Sequence, residues 1–274
     1  MVDGQKHGAW VTRYDNGKTK AKGSYAAGKK TGEWTEWDDK GAKVEEATYK
    51  NGKKDGPWVT YHPGEVKSEE GAYANDQKDG LWSTWSMNGK PSSKGAYKAG
   101  VQDGPWEYFL PGGVSQGHFK NGKKDGPWIE WSGDQKSMGN YKMGVRDGNW
   151  TSEGKDGKKI NEGNYVNGKK AGAFVLYNEQ GGKDTEATYR DDQKNGKFLR
   201  YHPNGERRAE GTYKQDKQEG LWVAYHPNGQ KKLECLFAAG KPAGKSKEWD
   251  EDGKEVVKRR DFTDLFKKES GETK

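Results

Sequence analysis

The chain has 274 residues, of which 33% are charged and 29% are hydrophobic, and its mean hydropathy is −1.33. It contains no run approaching the roughly 18 apolar residues of a membrane-spanning helix, and its single cysteine, Cys235, excludes an intramolecular disulfide. Such polarity is typical of disordered chains, but the 12 Trp, 14 Tyr and 7 Phe residues are not. The composition therefore indicates an ordered protein with an aromatic core.

The net charge of +7 and the pI near 9.0 raise the question of an anionic partner. The lysines, however, lie in segments such as Lys53-Lys54-Asp55 and Gln77-Lys78-Asp79, in which an acid follows them directly. Interspersed charges of both signs are typical of a solvated surface. We therefore expect no nucleic-acid partner, and an anionic lipid surface bound through the lysine-rich turns stays open as an alternative.

A Gly-x-aromatic phrase recurs along the chain at a nearly fixed period. The first copy is Gly8-Ala9-Trp10, the tenth is Gly220-Leu221-Trp222, and an eleventh, Gly244-Lys245-Ser246, has lost its aromatic residue. The period is 24 residues except for two consecutive steps of 22. This period predicts an array of stacked repeats, an architecture that mostly serves binding rather than catalysis.

One repeat, residues 196–220, contains two strand-like segments separated by polar turns. Residues 196–201 and 206–213 have the pattern of strands, and 202–205 and 214–220 that of turns. Asn-Gly and Asp-Gly pairs supply the positive φ that tight hairpin turns require. These pairs occur at Asn16-Gly17, Asn51-Gly52, Asp55-Gly56, Asn88-Gly89, Asn121-Gly122 and Asn228-Gly229. The sequence predicts an all-β fold, an elongated, twisted antiparallel β-hairpin array of about eleven 22–24-residue repeats spanning residues 1–249.

The aromatic residues form three columns, one residue per repeat in each. The first column is Trp10, Trp34, Trp58, Trp82, Trp106, Trp128, Trp150, Phe174, Phe198 and Trp222. The second column is Tyr25, Tyr49, Tyr73, Tyr97, Phe119, Tyr141, Tyr165, Tyr189, Tyr213 and Phe237. The third column follows the first by three or four residues and comprises Tyr14, Trp37, Tyr61, Trp85, Phe109, Trp131, Tyr177, Tyr201, Tyr225 and Trp249.

Strand alternation assigns these columns to faces of the sheet. The glycine of each Gly-x-aromatic phrase shares the face of its own aromatic residue, and its missing side chain offers space for a neighbouring ring. We therefore expect the first two columns to interlock over these glycines. The third column falls on the opposite face unless a bulge intervenes. Stacking between successive repeats is the preferred structural explanation of this column, and its members, Tyr14 to Tyr225, are the candidate binding residues if the column forms a ligand platform.

The C-terminal residues 250–274 differ from the repeats. Phe262, Leu265 and Phe266 have helical spacing, which predicts a short amphipathic helix near 261–268. Such a helix is expected to cap the last hairpin, with a partner-docking peptide as the alternative. Residues 269–274 are predicted to be a disordered tail. Because no secretory leader is recognisable, the chain as it stands is expected in the cytoplasm, or in the envelope or outside the cell if a leader was removed.

The sequence contains no pattern typical of a catalytic, cofactor or metal site. Three of the five histidines, His62, His202 and His226, precede proline in the same turn, which indicates repeat duplication rather than metal binding. The Gly-Lys pairs precede no helix and do not form a phosphate-binding loop. Cys235 takes a position that is Gly or Ala in other repeats, so a small core residue is expected there. We therefore predict a protein that is not an enzyme and has no cofactor.

The phrase Gly220-Leu221-Trp222, continued by Tyr225-His226-Pro227-Asn228-Gly229, resembles the MORN repeat in its bacterial variant, which occurs in YwqK-type antitoxins. Gly71-Ala72-Tyr73 resembles its second half, and the resemblance extends from Gly8 to Trp249. It implies a β-hairpin array used for protein binding, self-association or membrane association. The chain departs from the pattern between residues 104 and 165, where two repeats are short and Glu153 replaces the third-column aromatic.

A weaker resemblance is to the repeats of cell-wall- and choline-binding modules, which also pair glycine with tryptophan in short hairpins. Tyr108-Phe109 is the closest approach to their adjacent aromatics. The main expectation is a scaffold for a protein partner, including an antitoxin- or immunity-like role or a homo-oligomer. Carbohydrate binding through the third column is the alternative of a different class.

Overall fold

Alternating strands and tight turns account for the regular structure of the chain. The computed structural model describes residues 1–2 and 4–256, and within them it contains 22 β-strands and no helix. The predicted all-β hairpin repeat is therefore confirmed for this part of the chain. The C-terminal helix predicted near 261–268 and the tail at 269–274 lie outside the described residues.

The chain divides into two compact units. The first contains residues 1–133 and 141–144, and the second contains residues 134–140 together with 145 onward. In the first unit, each strand pairs antiparallel with the next along the chain. Its strands are β1 (Gly8–Arg13), β2 (Thr19–Ala26), β3 (Lys29–Trp37), β4 (Lys43–Lys50), β5 (Lys53–His62), β6 (Val66–Ala74), β7 (Gln77–Trp85), β8 (Pro91–Lys98), β9 (Val101–Leu110), β10 (Gly113–Lys120) and β11 (Lys123–Ser132).

The second unit repeats the same pattern. The segment β12 (Gln135–Lys142) is divided between the two units. The following strands are β13 (Val145–Glu153), β14 (Lys159–Val166), β15 (Lys169–Tyr177), β16 (Lys183–Arg190), β17 (Gln193–Tyr201), β18 (Arg207–Lys214), β19 (Lys217–Tyr225), β20 (Lys231–Ala238), β21 (Lys241–Pro242) and β22 (Lys247–Glu248). Strands β13 to β20 pair antiparallel in chain order, and β20 also pairs with β21 and β22.

The tightest turns are two-residue hairpins with positive φ. Asn51 and Gly52 have φ of 52° and 86°, the left-handed conformation that joins strands of matching twist. The prediction of a turn at Asp55-Gly56 is wrong, because both residues lie inside β5. The pairing of β5 with β4 shifts register near this point, so Gly56 serves an irregularity within the strand rather than a reversal of the chain.

The first and second aromatic columns form the core. Trp34 is 3% exposed, and its ring centroid lies 5.0 Å from Tyr25 and 6.4 Å from Tyr49, edge to face in both cases. Lys30 completes the layer, with its Nζ 4.3 Å from the Trp34 ring centroid. The predicted interlocking of the two columns is therefore confirmed, and lysine stems cover rings that a single sheet could not bury.

The glycine that receives each ring is not the one predicted. Gly80, from the Gly-x-aromatic phrase, has φ of +78°, and a side chain there would meet no atom within 4 Å. The ring instead lies over Gly71 on the neighbouring strand, where an added Cβ would stand 2.3 Å from Cδ2 of Trp82. Close approach therefore requires Gly71, whereas Gly80 is required for its backbone conformation. The equivalents of Gly71 are Gly23, Gly95, Gly117, Gly139, Gly163 and Gly211.

One repeat of the first unit has alanine in the position beneath the ring. Ala47 lies opposite Trp58, and the Trp58 ring stands 5.3 Å from Trp82 at an interplanar angle of 39°. The Trp82 indole Nε1 donates to the Ala72 carbonyl at 3.2 Å, but Nε1 of Trp58 is buried without a hydrogen-bond partner in the described part of the chain. The methyl group of Ala47 thus occurs together with a displaced Trp58 ring and the loss of the indole hydrogen bond that Trp82 makes.

The second unit contains the same variant. Ala187 lies opposite Phe198, whose ring stands 5.5 Å from Trp222 at an interplanar angle of 35°. Gly196 has φ of +128°, close to the +127° of Gly56 and far from the +78° of Gly80. In both units, therefore, an alanine beneath the ring occurs together with a φ of +127° or +128° at the glycine of the same Gly-x-aromatic phrase.

Candidate functional site

The candidate site is the third-column face, defined as the sheet face that carries Trp37, Tyr61 and Trp85. On β5, Trp58 and Thr60 share one face, so Tyr61 lies on the other. A register shift does occur here, since Thr60 pairs with Glu69 and Tyr61 with Lys67. The extra residue is on the partner strand, so it leaves the alternation along β5 unchanged. The third column accordingly falls on the face opposite the core.

Tyr61 is held by a carboxylate of a neighbouring strand. Its hydroxyl donates to Oε2 of Glu46, and Nζ of Lys43 lies 2.7 Å from Oε1 of the same carboxylate. The Tyr–Glu separation of 15 residues recurs in the second unit, at Tyr177–Glu162, Tyr201–Glu186 and Tyr225–Glu210. A Lys or Arg three residues before each glutamate pairs with it, namely Lys159, Lys183 and Arg207.

These contacts link adjacent hairpins by hydrogen bonds. The structural alternative of ring stacking between successive repeats does not describe them, since each tyrosine reaches a glutamate instead. The glutamates were not predicted as site residues from the sequence. The sequence does contain a pattern that identifies these glutamates. Each is the last residue of a Lys-x-x-Glu or Arg-x-x-Glu phrase and lies 15 residues before its tyrosine.

This hydrogen-bond network shifts the pKa values of the tyrosine and the glutamate in opposite directions. Burial, together with the hydrogen bond to Glu46, raises the pKa of Tyr61 to about 12. Hydrogen bonds from Lys43 and Tyr61 lower the pKa of Glu46. Because the pKa of Tyr61 is 10.0 without these contacts, its contribution to stability is complete below pH 10 and is lost as the pH rises toward 12.

Tyr61→Phe is expected to lower the free energy of unfolding at neutral pH by about 1 kcal/mol, because it removes a hydrogen bond to a charged group that is partly exposed. It should also reduce the loss of stability between pH 10 and 12. Urea unfolding across this range, in a double-mutant cycle with Glu46→Gln, measures the contact. Strictly additive effects of the two substitutions would show that the hydroxyl and the carboxylate do not interact.

The aromatic members without a hydroxyl lie differently. Trp37 and Trp85 are half-buried, and Nζ of Lys67 stands 6.0 Å from the Trp85 ring centroid. Trp131 packs on Gly113, the first residue of β10, where an added Cβ would stand 2.5 Å from its ring. Phe109 is 36% exposed. The face therefore presents tyrosines held by hydrogen bonds and tryptophans that are half-buried.

Tyr14 does not belong with the other members. The residue three positions after Trp10 is Arg13, and Tyr14 falls one position later. Its hydroxyl donates to the Trp37 carbonyl at 2.7 Å. Nε2 of His62 makes the same contact with the Trp85 carbonyl at 2.8 Å. Tyr14 thus has the same role as the turn histidines, whose side chains bind a backbone carbonyl of the next repeat.

The other side chains that could bind a metal ion or react chemically have structural rather than catalytic surroundings in the described residues. Within residues 1–2 and 4–256, no group of three or more His, Cys, Asp or Glu side chains could hold a metal ion. Cys235 is 2% exposed, and burial raises the pKa of its thiol. In the same part of the chain, no helix is long and apolar enough to cross a membrane.

Two solved structures resemble the chain at low similarity. A complex of TcdB2, TccC3 and Cdc42 matches 88% of this chain at 11% identity, with a TM-score of 0.22, over 15% of its own length. A Tc holotoxin pore from Photorhabdus luminescens matches 90% of this chain at 12% identity, with a TM-score of 0.20, over 16% of its length. This chain thus spans about a sixth of either protein. No curated protein sequence matches it significantly.

Four segments match a known repeat family directly. They are residues 6–27, 30–51, 194–215 and 218–239, two in each unit. Each segment ends within a few residues of a second-column aromatic residue, as at Tyr25 and Tyr49. The matched segments therefore follow the same repeat boundaries as the aromatic residues. Repeats of this family are generally binding or scaffolding elements and are generally non-catalytic. All four segments match the model of the MORN repeat variant.

Proposed function

We propose that the chain is a non-catalytic repeat protein whose third-column face binds a protein partner. The observation that carries this proposal is the arrangement of Trp37, Tyr61 and Trp85. They occupy the same strand position in three consecutive repeats, on the face opposite the core, and each is half-buried. An antitoxin- or immunity-like role is the narrower form of this proposal.

The chemistry of the face suits a protein surface. Trp and Tyr are the residues in which binding energy concentrates at interfaces. A ring that is already held, as Tyr61 is by Glu46, loses little conformational entropy when a partner covers it. The Lys43–Glu46 and Lys67–Glu70 pairs supply charges of both signs beside the rings. A partner with a mixed polar and apolar surface therefore matches the face better than a uniformly anionic one.

The triple variant Trp37→Ala, Tyr61→Ala, Trp85→Ala is expected to lose partner binding by at least about 30-fold, since one such anchor is often worth 2 kcal/mol or more. Circular dichroism should stay close to that of the unchanged protein, because the core columns are untouched. Affinity capture from the native source, quantified by mass spectrometry, compares the proteins captured by the two forms.

The matched control neutralises three exposed lysines of the first unit, as Lys50→Gln, Lys53→Gln and Lys98→Gln. Lys54 and Lys78 are unsuitable, because they pack on core rings and pair with Glu45 and Glu69. The control should retain its partner at physiological salt. Loss of capture in the lysine variant together with retention in the aromatic variant would refute the proposal and indicate an anionic partner.

A further inference from the structure

The sequence contains eight Asn-Gly pairs, and the structure divides seven of them between two kinds of turn. An asparagine followed by glycine is prone to lose its side-chain amide, because a glycine leaves its backbone nitrogen sterically open to the neighbouring Cγ. In the first kind of turn the asparagine side chain accepts a backbone hydrogen bond, at Asn16, Asn88, Asn204 and Asn228. The second kind is the two-residue hairpin with positive φ, at Asn51, Asn121 and Asn167. The eighth pair, Asn195-Gly196, lies inside β17.

The first kind of turn holds the carboxamide with two hydrogen bonds. Oδ1 of Asn16 accepts from the backbone N–H of Lys18 at 3.0 Å, and its Nδ2 donates to the Asp39 carbonyl at 2.8 Å. The same two contacts recur at Asn204 and Asn228. These bonds fix the orientation of the carboxamide and oppose its rotation toward the following backbone nitrogen.

Asn88 is held through its oxygen alone. Its Oδ1 accepts from the backbone N–H of Lys90 at 3.1 Å and from the Ser86 hydroxyl at 2.7 Å. The Ser86 hydroxyl also lies 3.1 Å from the Lys90 carbonyl, so its hydrogen is shared between two acceptors. This turn therefore contains one carboxamide contact that a single substitution removes.

The second kind of turn has no such contacts. The side chains of Asn51, Asn121 and Asn167 are exposed and have no hydrogen-bond partner within residues 1–2 and 4–256. The turn does not require a carboxamide, since Ala27 occupies the equivalent position with φ of 46° and Asp191 with φ of 52°. The asparagine side chain at this position is therefore left to rotate.

Other properties of the two kinds of turn are matched. All seven asparagines are exposed, and five of the pairs continue as Asn-Gly-Lys, two in the first kind of turn and three in the second. The glycine nitrogen is hydrogen-bonded in both, from Gly17 to the Tyr14 carbonyl and from Gly52 to the Lys30 carbonyl, each at 2.9 Å. The two kinds of turn thus differ in the φ of the asparagine and in the contacts of its carboxamide.

We propose that Asn51, Asn121 and Asn167 are sites of spontaneous deamidation and that carboxamide hydrogen bonds protect the asparagines of the other turns. At Asn51, the backbone nitrogen of Gly52 forms a bond to Cγ, and the Cγ–Nδ2 bond breaks. The proton of that nitrogen leaves with the released ammonia. Water then adds to one of the two carbonyl groups of the succinimide, and the C–N bond of that carbonyl opens. The product is aspartate or isoaspartate, and each reaction lowers the net charge by one.

The attacking nitrogen also links successive hairpins. The N–H of Gly52 donates to the Lys30 carbonyl, and equivalent bonds of 2.8 Å occur at Gly122 and Gly168. The succinimide nitrogen carries no hydrogen, so the link is lost when the ring forms. Aspartate is compatible with the turn, as Asp191 shows, whereas isoaspartate adds a carbon to its backbone. The reaction needs no partner, so this proposal and that of protein binding can fail separately.

Incubation of the folded full chain in mildly alkaline buffer tests the proposal. Cleavage after glutamate leaves each Asn-Gly-Lys site on its own peptide, and mass spectrometry measures its conversion. Asn51, Asn121 and Asn167 should react at least roughly tenfold faster than Asn16 and Asn88, whose carboxamides each have two hydrogen bonds. In guanidinium chloride all five should react at similar rates, because their local sequence is the same. Equal rates in the folded protein, or a difference that persists in the unfolded chain, would overturn the proposal.

The decisive variant is Ser86→Ala. It removes the hydroxyl that donates to Oδ1 of Asn88, while the backbone N–H of Lys90 still donates to the same oxygen. Deamidation of Asn88 should quicken roughly fivefold, the effect of losing one neutral hydrogen bond. Asn16, on another turn of the same protein, is the internal control and should react at its original rate. An unchanged rate at Asn88 would show that carboxamide contacts do not protect these turns and would refute the proposal.

Discussion

Replacing Trp82 with alanine is expected to lower the free energy of unfolding by about 3–5 kcal/mol, because a large buried side chain leaves a cavity. Trp82 is 2% exposed, and its ring centroid lies 5.1 Å from Tyr73 and 6.0 Å from Tyr97. Nζ of Lys78 stands 3.9 Å from the same ring. The substitution therefore removes a ring that three side chains cover, and these side chains lose their packing with it.

Trp85→Ala is the matched control on the same strand. Trp85 has the same volume, but it is half-buried and lies on the third-column face, where Lys67 is its neighbour at 6.0 Å. Its loss should be clearly smaller, because less apolar surface returns to water. Urea unfolding of the two variants, followed by circular dichroism, compares them directly. Equal losses would contradict the assignment of Trp82 to the core and Trp85 to the opposite face.

The aromatic columns could be assigned to faces from the sequence because the alternation along each strand survives. The register shift opposite Tyr61 places its extra residue on β6, so counting along β5 gives the correct face. A bulge on β5 between Trp58 and Tyr61 would have reversed the result without any change in their spacing. The period alone does not distinguish the two cases.

The roles of the glycines could not be assigned in the same way. Gly71 and Gly80 belong to the same repeat period, but one accommodates a ring and the other adopts φ of +78°. Sequence spacing along one strand does not show which residue lies opposite Trp82 on the next strand. The strand register determines which residue lies opposite Trp82. Because an irregularity lies near each aromatic residue, this register does not follow from the spacing of the hairpins alone.

The different charge at the corresponding register positions of the second unit could not be predicted for a related reason. Arg200, Ala209 and Gln218 are ordinary residues for a polar repeat when each is considered alone. Only alignment by strand register shows that they replace an acid, an acid and a lysine on one face. Composition and net charge are averages over the whole chain, so they do not show a local reversal of charge.

The other large effect is expected at Gly71, where alanine would place its Cβ 2.3 Å from the ring of Trp82. Overpacking of this kind commonly costs about 1–3 kcal/mol. The smaller entropy of the unfolded chain offsets about 0.4–1 kcal/mol of that, so the net effect remains destabilising. Gly80→Ala is a matched control with a different cause, since it meets no neighbour and strains only the backbone.

Ala47 indicates how the repeat would accommodate the change at Gly71. Since the Trp58 indole opposite Ala47 has no hydrogen-bond partner among the described residues, Gly71→Ala should displace Trp82 and break its 3.2 Å bond from Nε1. The reciprocal variant, Ala47→Gly, should let Nε1 of Trp58 donate to the carbonyl of Thr48. Indole N–H exchange, measured by NMR on ¹⁵N-labelled protein, should quicken at Trp82 in the first variant and slow at Trp58 in the second. Unchanged exchange at both rings would mean that the residue beneath the ring does not determine its position.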